Sequence, residues 1–180
     1  FILLAKDEIG YRQMKELSSR AWTRSYTSFI TRVPTYYSDI EEIVGNNKGH
    51  LIAQTSCIGS YGGHNFKTEP RKVENFYKWC KNIFGDDFFL EIQPNPDPLQ
   101  IEYNHFIVNY GAKTGIPVIV TTDAHYLVKE ERSIHKAYLN SNGSEREVDA
   151  FYASTYVMDE EDLKERLMAN FSIEEVSQFI

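Results

Sequence analysis

Short apolar segments of strand length alternate along the chain with longer segments of helical periodicity, and this alternation restricts the possible folds most strongly. The strand-like segments are 1–5, 50–54, 87–92 and 117–122, all rich in apolar or β-branched residues. Strands this apolar are typical of a parallel sheet that helices cover. The sequence therefore predicts an α/β fold, with the sheet either open and doubly wound or closed into a barrel.

The helical segments carry apolar residues at spacings of three and four, and several have recognisable ends. Segment 70–84 has the clearest buried face, and Asp97 followed by Pro98 joins an N-cap residue to a proline in the first helical position. Gly115 marks the end of the helix that Asp97 begins. Further helices are predicted over 8–26, from a capping box at Ser38 and Glu41 through 43, around Ile134 and Tyr138, over 159–169, and after Ser172 with Glu175.

The chain contains no internal repeat, low-complexity tract or linker, so residues 1–180 are expected to form a single domain. In parallel sheets and barrels, ligands bind at the carboxyl ends of the strands.

The sequence starts at Phe1, without methionine and inside an apolar run. It is therefore expected to be a fragment of a longer domain whose first strands lie upstream.

Charge and cysteine content restrict the class of protein. The 19 basic and 26 acidic residues give a net charge of −7, which disfavours duplex DNA as a ligand of this surface. The cysteines are too few for a disulfide framework, and the N-terminal segment lacks the pattern of a secretory signal, so a cytoplasmic location is expected. No apolar stretch approaches the roughly 20 residues that cross a membrane.

A carboxylate and an imidazole follow directly on the last predicted strand. In an extended chain, side chains two residues apart project to the same side, so Asp123 and His125 can face one point beyond the strand end. Such a pair suits a metal ion. The alternative is structural: Asp123 would cap the next turn and His125 would bond to the backbone, and these residues alone favour neither interpretation.

Cys57 lies a few residues beyond another predicted strand, in a glycine-rich loop. If the strands are parallel, Cys57 reaches the same edge as Asp123 and His125. A thiolate beside a carboxylate and an imidazole favours zinc or another first-row transition metal over magnesium. Packing in the core is the alternative for Cys57. It is also the role expected for Cys80, which lies on the apolar stripe of segment 70–84.

Two further residues are candidates for supporting roles, and no catalytic residue is assigned. Glu91 lies near the end of the strand 87–92, where it would support the metal ligands or pair with a buried cation. His64 shares the glycine-rich loop with Cys57 and would approach a metal or a phosphate, or else stay solvated. The sequence lacks the P-loop, dinucleotide and serine-hydrolase motifs, which argues against those classes.

Four segments resemble one known family in their order and spacing: Leu-Ala-Lys through Gly-Tyr at 4–11, Leu-Ile-Ala through Cys-Ile-Gly at 51–59, Phe-Gly-Asp-Asp-Phe-Phe-Leu-Glu at 84–91, and Gly-Ile-Pro-Val through Asp-Ala-His-Tyr-Leu at 115–127. They are similar to the polymerase and histidinol phosphatase (PHP) domain of the bacterial DNA polymerase III alpha subunit. The likeness spans nearly the whole chain. Ser56 stands where the family often has glycine, and Thr122 where it often has asparagine.

The resemblance implies a distorted, parallel-stranded (β/α)7 TIM-like barrel, of which this chain is the C-terminal part, with metal ions at its rim. Carried over by position, Cys57, Asp123 and His125 match metal ligands of the family, and zinc or manganese is the expected ion. The other ligand motifs of the family would precede Phe1. The fragment alone is therefore expected to be inactive.

The resemblance also implies that the parent is a replicative DNA polymerase, with its nucleotide-adding carboxylates and Mg²⁺ in a domain outside this chain. The PHP domain would be a metal-binding phosphoesterase or a scaffold that docks a proofreading exonuclease. It would contact the remainder of the alpha subunit, and DNA would be bound by other domains. Two alternatives stay open, namely a free-standing metal-dependent PHP phosphatase and a non-catalytic interaction barrel.

Overall fold

The computed structural model of the protein describes residues 1–141 and 151–179, and it divides the chain into two compact units. The first unit contains Phe1–Thr55 and Lys67–Phe89, and the second contains Ser56–Phe66 and Leu90–Ile180. Both units combine helices with strands, so the α/β class is confirmed. The single domain expected over 1–180 stays a prediction.

The regular elements follow the order that the sequence predicts, with two additions. The strands are β1 (Ile2–Ala5), β2 (Tyr26–Thr27), β3 (Thr31–Arg32), β4 (Leu51–Gln54), β5 (Phe88–Ile92) and β6 (Val118–Val120). The α-helices are α1 (Glu8–Thr23), α2 (Tyr37–Ile40), α3 (Tyr61–Asn65), α4 (Pro70–Phe84), α5 (Pro98–Thr114), α6 (Arg132–Asn140), α7 (Glu160–Met168) and α8 (Ile173–Phe179). A π-helical turn over Glu41–Gly45 continues α2. One addition is the hairpin of β2 and β3, whose strands are too short for alternation to reveal. The other is α3, which forms where the sequence predicts a glycine-rich loop, so the loop prediction is wrong there.

The strands of the first unit are not all parallel, which corrects the prediction for β1. β4 pairs parallel with the start of β5, but β1 pairs antiparallel with β4, so that Ala5 lies opposite Leu51. The pairing is antiparallel because the chain leaves β1 and enters β4 at the same end of the two strands. The Lys6 N–H donates to the His50 carbonyl oxygen at 2.9 Å, and Asp7 Oδ2 lies 2.7 Å from His50 Nδ1.

The core of the first unit forms on one face of α4. The helix begins and ends at the predicted residues, and Val73, Tyr77 and Cys80 on its buried stripe are fully enclosed. The Tyr77 ring packs against Phe88 of β5, with 6.3 Å between ring centroids. Burial raises the pKa of the Cys80 thiol to about 12, because an apolar environment disfavours the thiolate. The packing role predicted for Cys80 is confirmed.

Two predicted helix ends in the first unit are wrong. α1 ends at Thr23 rather than 26, because the chain turns there into the hairpin. α2 begins at Tyr37, so the predicted capping box at Ser38 does not form. Instead the Asp39 carboxylate accepts a hydrogen bond from the Tyr36 N–H at 3.3 Å and pairs with the guanidinium of Arg24.

The second unit is organised by α5 and by the parallel pairing of β5 with β6, in which Leu90 lies opposite Val118. The Asp97 carboxylate accepts hydrogen bonds from the first free N–H groups of α5, as predicted. Gly115 ends the helix in the left-handed conformation, with φ of 71°. Such a C-cap favours glycine because it has no Cβ. Tyr103 and Ile107 of α5 are fully buried.

The helices α6, α7 and α8 also lie where the sequence predicts them. Asp159 caps α7 by accepting from the Asp162 N–H at 2.8 Å, and Ser172 and Glu175 make the reciprocal bonds of a capping box before α8. The polar segment 140–147, whose composition predicts a turn after α6, falls mainly outside the described residues. Among those residues, no helix is both long and apolar enough to cross a membrane.

Candidate metal site

Glu91 is a buried carboxylate near the carboxyl end of β5, in the second unit. Its side chain is 2 % exposed. Oε1 accepts hydrogen bonds from Thr121 Oγ1 at 2.6 Å and from Gln93 Nε2 at 2.7 Å. Burial is the main cause that raises the pKa of Glu91, and the nearby charge of Asp123 raises it further. Glu91 is thus held by neutral donors beside Asp123, which suits the supporting role expected of it.

A buried polar network joins Glu91 to α5. Gln93 follows β5, and its backbone N–H and C=O both bond to the Asn104 side chain, at 3.2 Å and 2.7 Å. Asn104 Oδ1 also accepts from Gln100 Nε2 at 2.8 Å. The sequence does not predict these roles of Gln93, Gln100 and Asn104. Their only signal is that polar side chains interrupt the apolar stripe of α5, a pattern that surface positions also produce.

Two turns with unusual backbone conformation adjoin the strand ends. Among the described residues, the non-glycine positions with positive φ are Ser56, at 71°, and Asp123, at 47°. This conformation costs an ordinary residue roughly 1–2 kcal/mol. The Ser56 N–H bonds to the Glu91 carboxylate, so both turns adjoin the same buried group. The conformation of Ser56 also explains why a glycine suits this position in the family that the sequence resembles.

Two contacts with backbone carbonyl oxygens hold His125 in place, one made by its backbone N–H and one by its ring. Its N–H donates to the Thr155 carbonyl oxygen at 2.7 Å, and its Nδ1 lies 2.5 Å from the Asp123 carbonyl oxygen. The ring packs beside Tyr152 and His135, with centroids 5.3 Å and 5.5 Å away. When Nδ1 donates to a carbonyl, Nε2 keeps the lone pair that a metal ion needs. The backbone bond expected as an alternative to ligation is present, and it is compatible with ligation.

Cys57 and His64 occupy the segment that follows β4. Cys57 is half-buried, and its carbonyl oxygen accepts from the Ser60 N–H at 2.9 Å. Ser60 in turn caps α3 by accepting from the Gly63 N–H at 3.3 Å. His64 lies on α3 with an exposed side chain, which agrees with a solvated residue.

These donors do not amount to a complete metal site. Within 1–141 and 151–179, no three His, Cys, Asp or Glu side chains are grouped so that they could hold a metal ion. Zinc needs at least three protein ligands in its usual sites. Cys57, Asp123 and His125, all described residues, are therefore not grouped here as three ligands of one metal ion, and their joint ligation stays a prediction.

Comparison with known proteins identifies the family. A family profile described as the PHP domain matches residues 1–95, which is more than half of the chain. The chain belongs to the PHP domain family. The matched range of this PHP domain includes Cys57, His64 and Glu91, whereas Asp123 and His125 lie beyond it.

The relatives of this PHP domain include several DNA polymerases. It is 39 % identical to "Probable DNA polymerase YorL" of Bacillus subtilis (strain 168) over 93 % of this chain. It has the same identity and coverage with "DNA-directed DNA polymerase" of Bacillus phage SPbeta. With "DNA polymerase III subunit alpha" of Aquifex aeolicus (strain VF5), it is 35 % identical over 74 % of the chain. The chain spans only 14 %, 14 % and 11 % of these proteins, respectively.

Proposed function

We propose that this PHP domain is part of a replicative DNA polymerase of the polymerase III alpha type. The observation that carries the proposal is the similarity over nearly the whole domain to proteins that are named DNA polymerases. The parent protein would catalyse DNA-directed nucleotide addition with Mg²⁺ bound by another domain. This domain would contact the remainder of the subunit, and DNA would be bound elsewhere in the cytoplasmic polymerase.

Within the polymerase, the proposed role of the domain is that of an accessory barrel that binds a metal ion. The parallel pairings of β4 with β5 and of β5 with β6 support a partial (β/α)7 barrel. Docking of a proofreading exonuclease is the accessory role that the family resemblance suggests. A free-standing phosphatase is the weaker alternative, because the relatives from Bacillus subtilis, phage SPbeta and Aquifex aeolicus are named polymerases.

The proposed metal ligands from this chain are Cys57, Asp123 and His125, with zinc or manganese as the ion. Three observations support them. All belong to the second unit, Asp123 takes a strained backbone conformation, and the Nδ1 bond of His125 leaves Nε2 for a ligand. The remaining ligands would come from residues other than those described. When bound, the ion would supply Lewis acidity or structural cross-linking.

Elemental analysis of the full-length protein tests this proposal. We expect zinc or manganese in the wild type, and a metal affinity at least about tenfold weaker in Cys57→Ala and in His125→Ala. Cys80→Ala is the matched control, because its thiol lies in the core of the first unit. Primer extension with Mg²⁺ is expected to persist in all variants, since nucleotide addition is assigned to another domain.

Two results would contradict separate parts of the proposal. Equal metal content in the wild type, Cys57→Ala and His125→Ala would remove the metal assignment. Absence of primer extension by the wild-type full-length protein would remove the polymerase assignment.

A further inference from the structure

An open cavity of about 440 Å³ lies in the second unit, and Cys57, Asp123 and His125 are not among its lining residues. Its apolar lining includes Pro94, Pro96 and Ile101. Its polar lining includes Arg166 of α7 and Asn170, just beyond the end of this helix. Its volume falls within the usual range of pockets for small organic molecules, roughly 300–1,000 Å³.

Arg166 carries a half-buried positive charge that neutral groups hold in place. Its Nη1 donates to Ser154 Oγ at 3.0 Å, and its guanidinium carbon lies 5.6 Å from the centre of the Tyr156 ring. No carboxylate of the described residues lies within ion-pair distance of this guanidinium. A guanidinium has five N–H donors, so most of those of Arg166 are left for a ligand. The contacts with Ser154 and Tyr156 orient the group before any ligand binds.

Within the described part of the chain, the other charged side chains of the cavity make no direct ion pair with Arg166. Lys129 Nζ pairs with Asp162 Oδ1 at 2.9 Å, and the second oxygen of Asp162 accepts from the Tyr156 hydroxyl at 3.1 Å. These two charges therefore satisfy each other. Glu165 is exposed, so water screens its carboxylate. The hydrogen bond from Lys129 is the main cause that lowers the pKa of Asp162, and the nearby charge of Arg166 lowers it further. Among the described residues, however, the Arg166 guanidinium makes no direct ion pair with a carboxylate of the cavity.

Asn170 adds a neutral polar group on the same side as Arg166. It is half-buried, and it lies four residues after Arg166, a spacing that places both on one side of a helix end. The side-chain amide of Asn95, by contrast, already has hydrogen-bond partners. Its Nδ2 donates to the Phe151 carbonyl oxygen at 2.8 Å, and its Oδ1 accepts from the Asp97 N–H at 3.0 Å. The Arg166 fork and the Asn170 amide together can donate to several oxygens of one anion.

We propose that this cavity binds a phosphate monoester of mononucleotide size. The phosphate would accept hydrogen bonds from Arg166 and Asn170, because the planar guanidinium matches the spacing of phosphate oxygens. The organic part would pack against Pro94, Pro96 and Ile101. A lone oxyanion would leave most of the cavity unfilled, which favours an ester over inorganic phosphate.

Calorimetric titration of the full-length protein with dAMP tests the proposal, with EDTA present to remove any metal ion. We expect dAMP to bind more tightly than either deoxyadenosine or inorganic phosphate. Arg166→Met should weaken dAMP binding about 10- to 100-fold, as expected for loss of charge-assisted hydrogen bonds. Arg166→Lys should restore only part of the affinity, because an ammonium lacks the planar fork.

Control variants separate binding from folding. Asn170→Ala should weaken dAMP binding a few-fold, about the effect of one neutral hydrogen bond. Arg12→Met removes an exposed arginine that pairs with Glu8 in the first unit, and it should leave binding unchanged.

If Arg166→Met melts at a lower temperature than the wild type, Arg166→Lys and Asn170→Ala decide the question. Equal dAMP affinity in the wild type and these variants, or no dAMP binding by the wild type, would overturn the proposal. Inorganic phosphate binding as tight as that of dAMP would overturn the assignment to an ester.

Discussion

Replacing Gly63 with alanine is expected to destabilise the segment that carries Cys57 by about 3 kcal/mol. A Cβ at this position would lie 2.1 Å from the Ile58 carbonyl oxygen and 2.5 Å from the Ile58 carbonyl carbon. Both atoms belong to the backbone, so the loop must move to relieve the contact. Alanine normally stabilises a helix by about 1 kcal/mol relative to glycine. At Gly63 of α3 the close approach reverses that sign.

Hydrogen exchange of the amides in 56–66, measured in the full-length protein, tests the expected effect of Gly63→Ala. A loss of this size corresponds to about 100-fold faster exchange where the amides exchange by local opening. Gly59→Ala is the matched control, because its Cβ would lie 3.6 Å from Cys57 Sγ, an ordinary contact distance. Exchange that is unchanged in Gly63→Ala, or equally fast in both variants, would show that the loop does not depend on this close approach.

The second large effect is expected for Asn104→Leu, at about 3 kcal/mol or more of lost stability. Leucine has the same number and branching of side-chain heavy atoms as asparagine, but it removes three hydrogen bonds, two to the Gln93 backbone and one to Gln100. All these groups are buried. An unpaired buried donor or acceptor costs about 1–3 kcal/mol each, and partial relaxation reduces the sum.

Asn46→Leu provides the comparison for Asn104→Leu. Asn46 is exposed, and its side chain donates only to the Glu42 carbonyl oxygen, at 3.0 Å, so its replacement should change stability by less than about 0.5 kcal/mol. Hydrogen exchange at β5 and thermal melting of the full-length protein report the difference. Similar losses in the two variants would mean that the buried network contributes little to the stability of the Glu91 region.

Local signals in the sequence predict most of the elements well. The bounds of α4 agree because Pro70 suits a first helical turn and Gly85 follows its end. α5 agrees for a similar reason, since Asp97 caps its start and Gly115 adopts the left-handed conformation at its end. Caps and breakers act within a few residues, so they can be recognised without knowledge of the tertiary structure.

Strand direction is not encoded by such local signals. A short apolar run identifies β1 as a strand, but its antiparallel pairing depends on how the chain between Lys6 and His50 returns to the sheet. That path includes the hairpin of β2 and β3, whose two-residue strands show no periodicity. Long-range geometry of this kind is decided by packing rather than by pattern.

The sequence predicts which residues are candidates for the site, but it predicts few of the contacts that these residues make. The position of Glu91 near a strand end indicated a supporting role, and the structure places it beside Thr121 and Ser56. The contribution of Gln93 and Asn104 depends on contacts between separate elements, which spacing does not reveal. The proposal that Cys57 and His125 bind one metal ion also depends on how distant segments pack together, and it stays a prediction.

The absorption spectrum of the full-length protein loaded with Co²⁺ tests the proposed ligand Cys57 most directly. A cobalt–thiolate bond gives a charge-transfer band in the near ultraviolet, and Co²⁺ accepts the same nitrogen, oxygen and sulfur donors as zinc. We predict such a band in the wild type and in Cys80→Ala, and its loss in Cys57→Ser. A band that persists in Cys57→Ser, or a wild type without one, would contradict the proposed metal site.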